Sequence, residues 1–499
     1  MKYFRSTQWI QDVSFFVKQL WKALWLTDDR VLQVLVSLIS IFLSITVGFL
    51  YAKDIAVTTT PILLWLSVVV ICFAILYPFD RQSGFHFNRM WVGFTGLLLA
   101  AFFLRVITLS NFPVGFHVDE AGGADFSLQH VFNPINPGET ISPFRTASYS
   151  QPSLYYYFLR LSLSIFGLTI PGARMSSVLV GTLAVGATFL MVNELDGRRT
   201  AWLAAILMTA YHYHIHWSRM ALNNVWVTLF VPATLAFFMI GWRKNWSGGA
   251  VLAGLSLGLT AYFYSGGYIV IPLLFILIVR TWKQTNDHLT LTVYLGRMFV
   301  PALVVAAPLI IFAFLFPDFF FDRSREVFAW SSENIQSFSG DTSMYQASDG
   351  VNIYLAYFIY QLIHSLGAYN FFLEIPTFYF PHIPFLIGFA SPLFLLGIAW
   401  TIYKKQYFPA IWVLIVTILG GFLLSAPPAS SHFISVIPAI CWLVAVPINL
   451  LFENRRAPWA YLILISILSL DIYFYFVTYK AHPSSNLDVP FPIVEPYNQ

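Results

Sequence analysis

Apolar runs close to twenty residues long recur along the whole 499-residue chain, and their spacing decides what it can fold into. Each run is long enough, as a helix, to cross a hydrocarbon core of about 30 Å. In that solvent only helices and closed barrels satisfy every backbone N–H and C=O internally. The runs lie near 31–51, 61–78, 91–109, 174–193, 201–215, 224–242, 248–265, 268–282, 298–316, 384–403, 407–426, 433–452 and 458–478, thirteen in all. Composition agrees: 58% of the residues are hydrophobic and 10% charged, which excludes a soluble enzyme, since soluble domains carry roughly a quarter charged residues. The reading is an all-α polytopic membrane protein with about thirteen transmembrane helices.

Charge orients the bundle. With the N-terminus cytosolic, the inner segments collect 18 basic and 8 acidic residues, a net of +10. The remaining 9 basic and 15 acidic residues give −6, so the modest total of +4 averages two opposed faces and points to membrane orientation, with no role for nucleic acid. Arg198 and Arg199, Arg243 and Lys244, Lys404 and Lys405, and Arg455 and Arg456 all fall on the inner side in this register. The first long apolar run begins near Val31 without a small-residue cleavage site, so it is expected to persist as a span. Before it, Trp9, Ile10, Val13, Phe16, Val17, Leu20, Trp21 and Leu24 share one helical face, the pattern of an interfacial amphipathic helix within 1–30. Cys72 and Cys441 both sit in apolar runs, which leaves neither a disulfide framework nor a cysteine-built metal site.

Two segments on the outer side, 110–173 and 317–383, are too long and polar to be plain connectors, and long ordered loops tend to carry function. Each contains an apolar stretch, 152–167 and 352–366, expected to lie flat in the outer interface. Counting the first as a span would invert every basic loop after it.

Candidate chemistry gathers in and around these loops. Asp119 and Glu120 follow span three in a segment rich in glycine, where the backbone can approach a ligand closely. An Asp at the mouth of a membrane cavity suits a general base for a hydroxyl nucleophile; the plainer reading is a solvated helix-capping acid. Arg219 lies at the outer end of span five, where a guanidinium binds a partner such as a headgroup-level phosphate or snorkels to lipid. Arg105 and Arg174, also at outer span ends, either join a phosphate cradle or anchor their helices. His212, His214 and His216 alternate, so only His212 and His216 share a helical face, and no third metal ligand follows. Asp471 is the one acid deep in a span and reads as a structural hydrogen-bonding site. Tyr262, Tyr264, Gly266 and Gly267 form an outer turn with aromatics suited to stacking on a sugar.

Over residues 90–450 these pieces resemble, in order, the GT-C superfamily of membrane glycosyltransferases, and within it the protein O-mannosyltransferase-like group with the aminoarabinose transferases. The resemblance rests on Asp119–Glu120, on Gln151-Pro152-Ser153-Leu154-Tyr155-Tyr156-Tyr157, on Ala173-Arg174-Met175-Ser176-Ser177, and on Asp196-Gly197-Arg198-Arg199 followed by Trp217-Ser218-Arg219-Met220-Ala221-Leu222. It departs from the family at Gln151 and Ser153, where relatives carry His and Pro, and at Ser431-His432, where they often carry an Arg.

The resemblance implies a GT-C-like fold with juxtamembrane helices in the first outer loop. It implies an inverting glycosyltransferase that moves a sugar from a polyprenyl phosphate to an acceptor hydroxyl on a protein, lipid or glycan. Asp119 becomes the base and Glu120 orients it or the acceptor. Arg219, Arg174, Arg105 and His432 are the implied donor-phosphate ligands, and His117, Gln151, Tyr155, His216, Asn223, Tyr264 and Arg323 the implied substrate contacts. No cofactor is required, and a divalent metal is an option the residues do not favour. The organisation expected is an interfacial helix (1–30), two additional helices (31–90), a catalytic core (91–316), an outer acceptor or cover region (317–383), C-terminal helices (384–480) and an outer tail (481–499). The chain lacks the added lumenal domain of eukaryotic protein mannosyltransferases, which points to a prokaryotic cytoplasmic membrane with the site outside. Two rival readings are a transporter or lipid flippase, which predicts repeated halves and mid-membrane charges, and a non-catalytic subunit that keeps the fold.

Overall fold

A computed structural model describes residues 30–52, 56–77, 89–132, 140–147, 151–338, 353–373, 378–379 and 383–479. The expected interfacial helix within 1–30 and the outer tail lie outside the described residues, as does part of the 317–383 loop. Each of the thirteen apolar runs coincides with helix. Eight helices are long and apolar enough to cross a membrane: Leu32–Tyr51, Thr59–Leu76, Ile170–Leu195, Asn224–Arg243, Ser265–Gln284, His288–Leu315, Ser430–Glu453 and Ala457–Tyr479. Four others, Met90–Val106, Ser247–Thr260, Ala390–Tyr403 and Phe408–Phe422, are apolar but shorter. The fifth run is broken into Arg198–Ala210 and the short His212–Trp217, with the bend at Tyr211. The chain is an integral membrane protein.

Burial separates centre from rim. Ile170–Leu195, Asn224–Arg243 and Ser430–Glu453 are each 78% buried over their apolar windows, against 28% for Leu32–Tyr51, Thr59–Leu76 and Ala457–Tyr479. The first three form the core and the last three face lipid. Lipid tails are as apolar as leucine, so close backbone packing has to hold such helices together, and small residues permit it. At Gly254 a Cβ would stand 2.0 Å from the Met298 carbonyl oxygen, so helices Ser247–Thr260 and His288–Leu315 meet there only because the residue is glycine.

The two N-terminal helices, Arg30–Tyr51 and Thr59–Leu76, have a physical task. Pro308, inside helix His288–Leu315, has no N–H to give the Val304 carbonyl one turn earlier. Ser44 Oγ donates to that carbonyl at 2.6 Å and Trp65 Nε1 at 3.4 Å, one donor from each added helix. The link between them, strand Ala56–Val57, pairs antiparallel with strand Thr140–Ile141 of the first outer loop, and Trp65 meets Phe144 edge-on at 5.5 Å. The added helices therefore brace both a proline-weakened span and the loop that carries the acid pair.

Among the described residues, five helices lie in the two long loops, Val118–His130, Leu154–Phe166, Pro317–Glu326, Ser332–Phe338 and Ile353–Gly367, and the first three bear on the site. Leu154–Phe166 buries Leu154, Tyr155, Tyr156, Leu159, Ser162 and Leu163 and leaves Leu161 and Ile165 exposed, so one face packs on the bundle and the other is free.

Gly48 tests the brace, because a Cβ there would lie 2.9 Å from Pro308 Cα. Gly48→Leu is expected to destabilise the protein by about 1–3 kcal/mol through overpacking, measured as a lowered thermal midpoint in detergent. An unchanged midpoint would mean that the added helices do not bear on Pro308.

Candidate active site

The acid pair sits in the first turn of helix Val118–His130. His117 caps that helix: its Nδ1 accepts the Asp119 N–H at 3.1 Å, while the His117 N–H donates to Glu120 Oε2 at 3.1 Å. This reciprocal pair satisfies two helix-end donors and fixes where the two carboxylates point. They point opposite ways.

Glu120 turns inward and is fully buried. Arg174 Nε donates to its Oε1 at 2.9 Å and Arg174 Nη2 to its Oε2 at 2.8 Å, a two-pronged ion pair, and Oε1 also accepts the Ala221 N–H at 2.7 Å. Arg174 spends its remaining donors on the carbonyls of Pro113 and Gly115. Asp119 turns the other way, stays 37% exposed, and lines a cavity of about 530 Å³. That volume falls in the usual range for a small-ligand site.

The cavity draws its walls from seven separate stretches of chain, Phe378 being one of them. Asp119 and Gly123 come from the acid helix, Gln151, Tyr155 and Tyr156 from the start of the juxtamembrane helix, and Asn223 and Asn224 from the turn after Leu222. Tyr264 to Ile269, Arg323 to Val327, and the stretch from Val416 to Ser435 that includes Ser431 and His432 close it. Asn223 Nδ2 ties two of these together by donating to Gln151 Oε1 at 2.9 Å and to the Phe263 carbonyl at 2.6 Å. Burial pushes the Tyr264 phenol up to about 12 and the Tyr155 phenol well above its ordinary value, so both keep their protons and can donate. Three polar atoms in the cavity walls, Tyr155 Oη, His432 Nδ1 and Ser435 Oγ, find no partner among the described residues. Buried polar groups are normally satisfied, and such orphans around a cavity call for a polar ligand.

Asp119, Gln151, Tyr155, Asn223, Tyr264, Arg323 and His432 thus meet at one cavity. Glu120, His117, Arg174, Arg105, Arg219 and His216 do not line it, and each has a structural occupation instead. Arg105, completely buried, donates to the Ala101, Met208 and Thr209 carbonyls and contacts His214 Nδ1 at 2.8 Å, which satisfies the end of helix Arg198–Ala210 at its break. Arg219 donates to the Leu104, Arg105 and Phe112 carbonyls and stands over the neighbouring Phe112 and Phe476 rings at 5.5 and 5.4 Å. The phosphate-ligand expectation for Arg219, Arg174 and Arg105 finds no support in the cavity: none of the three lines it, and most of their donors go to backbone carbonyls and to Glu120, although Nε of Arg105 and of Arg219 has no partner among the described residues. His216 makes a 2.8 Å hydrogen bond through Nε2 with the Phe378 carbonyl, and the His117 ring lies 4.6 Å from the Phe378 ring; both stand behind Phe378, which does line the cavity.

Arg323 is the one arginine or lysine among the described lining residues. It rides on helix Pro317–Glu326, directly beyond the braced span, where Nη1 pairs with Glu326 Oε2 at 2.6 Å in an exposed contact. The following strand-like contact, Ser425 N–H to the Val327 carbonyl at 2.8 Å and Ala329 N–H to the Leu423 carbonyl at 2.9 Å, fastens that helix to the far wall.

Residues 150–312 match the family model described as dolichyl-phosphate-mannose-protein mannosyltransferase. Among solved structures, the archaeal oligosaccharyltransferase AglB from Archaeoglobus fulgidus, in complex with an inhibitory peptide and a dolichol-phosphate, superposes with a TM-score of 0.51 at 15% identity, over 80% of this chain and 57% of AglB. The chain has the GT-C fold. Apo oligosaccharyltransferase from the same archaeon gives 0.50 at 14% identity, over 81% of this chain and 57% of that one. ArnT from Cupriavidus metallidurans, bound to undecaprenyl phosphate, gives 0.48 at 16% identity, over 76% of this chain and 63% of ArnT. The chain therefore spans roughly three-fifths of the length of the GT-C structures it matches. No curated protein matches it in sequence.

Sequence reasoning missed Asn224 and Ser435 and read Ser431 only as a departure from the family. Asn224 follows Asn223, and Ser435 lies three residues beyond His432. The placement of Glu120 predicts that Glu120→Ala, which strands the Arg174 charge in a buried site, costs about 3–5 kcal/mol. Thermal unfolding of the purified variant checks this, and a midpoint like that of the unaltered protein would contradict the structural role.

Proposed function

We propose that the protein transfers a sugar from a polyprenyl-phosphate carrier to an acceptor hydroxyl at the outer face of the membrane. The observation that carries the reading is the cavity itself: a partly exposed Asp119 and an Arg323 on the walls of one chamber whose other groups are neutral donors and acceptors, three of them unpartnered. A carbohydrate asks for such a lining, with many neutral hydrogen bonds, one base for the nucleophile and one cation for the leaving group. The dolichol-phosphate of the AglB complex supplies the ligand class that we carry over to this chain.

In the reaction, Asp119 accepts the proton of the acceptor hydroxyl as its oxygen bonds to the anomeric carbon. The bond from that carbon to the phosphate oxygen breaks from the opposite side, its electron pair leaves with the phosphate, and the configuration inverts. The products are the glycosylated acceptor and a polyprenyl phosphate, whose charge Arg323 stabilises. A phosphate leaves readily, so the step does not depend on a metal. The carrier's apolar chain accounts for a site built inside a membrane bundle, because the donor reaches it from the bilayer.

Asp119→Asn is expected to abolish transfer from a polyprenyl-phosphate sugar in a reconstituted assay while leaving the thermal midpoint unchanged. Full activity in that variant would remove Asp119 from the chemistry. Arg323→Ala is expected to weaken donor use by about tenfold or more, in line with the ~1.5–3 kcal/mol of a charged hydrogen bond. The KM for the donor, measured at fixed acceptor, checks it; an unchanged value would move the phosphate elsewhere.

A further inference from the structure

Helix Ile353–Gly367, in the second outer loop, is built inside out. The residues it buries against the protein include Tyr357, Gln361 and Ser365, and Gln361 Nε2 donates to Tyr357 Oη at 2.6 Å within that covered face. The residues it exposes are Tyr354, Leu355, Phe358, Ile359, Leu362, Ile363 and Leu366, between 38% and 59% exposed. Asp, Glu, Lys and Arg are absent from the helix, its one histidine, His364, is half-buried with its ring against Tyr360 and Phe372, and none of its exposed positions carries Ser, Asn or Gln.

Neither water nor an interface explains that pattern. In water the leucines would be covered and the amide and hydroxyl wet. A helix lying flat at the interface keeps a polar strip toward solvent, whereas here the polar strip faces protein. An apolar surrounding favours this arrangement. We propose that Ile353–Gly367 is immersed in the hydrocarbon of the bilayer, with acyl chains as the partner of its exposed face.

Continuity with the lipid-facing surface supports this occupant. Phe371, Leu373 and Phe389, which follow the helix, are 74%, 51% and 58% exposed, and they lead onto span Ala390–Tyr403 with its exposed Leu395 and Leu396. At about 1.5 Å per residue the fifteen-residue helix is roughly 22 Å long, comparable with the fourteen-residue span Ala390–Tyr403, so its length suits immersion in the hydrocarbon.

Its covered face rests on the widened helical turn Thr417–Phe422, where a Cβ on Gly421 would come within 2.7 Å of Ser365 Oγ. Leu419 in that turn lines the cavity and is itself 43% exposed. The immersed helix therefore packs on a turn that has one exposed leucine in the cavity wall. The segment that sequence reading assigns to an outer cover is, over these fifteen residues, a membrane wall.

The unaltered protein, reconstituted in phosphatidylcholine and phosphatidylglycerol vesicles with a phospholipid that carries a diazirine near its acyl terminus, tests the proposal directly. Photolabelling mapped by peptide mass spectrometry is expected to mark 353–367 within about threefold of the lipid-facing stretch 271–275. Label at the background level of the buried stretch 439–446 would overturn it. Nitroxides at Leu355→Cys and Leu362→Cys, beside the buried native Cys72 and Cys441, should collide more with oxygen than with a nickel chelate. Nickel access exceeding oxygen would place the face in water, and access to neither would give it a protein partner, either of which refutes immersion.

Discussion

The buried pair of Glu120 and Arg174 is the constraint around which the cavity end of this bundle is arranged. Through two carboxylate oxygens and one guanidinium it joins the acid helix, the carbonyls of the Pro113–Gly115 turn, the start of span Ile170–Leu195 and the turn at Ala221. A charge taken out of water is tolerated only when its partners are close and its remaining lone pairs are filled, and here they are. With Glu120 committed inward, the helical offset of one residue turns Asp119 outward to the cavity. Asp119 owes its direction to Glu120.

The buried arginines show the same economy of donors. A helix end leaves carbonyls without partners, and inside a membrane no water supplies them. Arg105 and Arg219 meet that demand at the broken fifth helix and at the end of Arg89–Val106, so the residue type that best binds phosphate is occupied with backbone. The cation left at the cavity is Arg323, from a helix two hundred residues beyond Asp119 in the chain. The N-terminal helices take part at a distance: Ser44 and Trp65 fill the carbonyl that Pro308 frees in the span leading to the Arg323 helix.

Asp471 shows where local reading stops. In sequence it is an isolated acid in a span with nothing nearby to pair it; in space its Oδ1 accepts the His212 N–H at 3.3 Å and lies 3.7 Å from His212 Nε2, at the break of the fifth helix. His212 in turn meets Tyr379 Oη at 2.7 Å, next to the cavity-lining Phe378. A contact between residues 212 and 471 leaves no periodicity for a sequence to display.

What the sequence by itself determined was the material of the fold. Hydrophobic length settles where helices form, because a span must bury its own backbone polar groups, and the thirteen apolar runs appear as helices with edges shifted by a few residues. Motif order was enough to single out Asp119 and six other residues of the cavity. The tertiary structure alone decided which charges are available for chemistry, since that depends on which carbonyls and carboxylates stand opposite each guanidinium after packing. It also decided that Ile353–Gly367 presents its leucines outward and its glutamine inward, because an apolar stretch reads the same whichever side the lipid lies on.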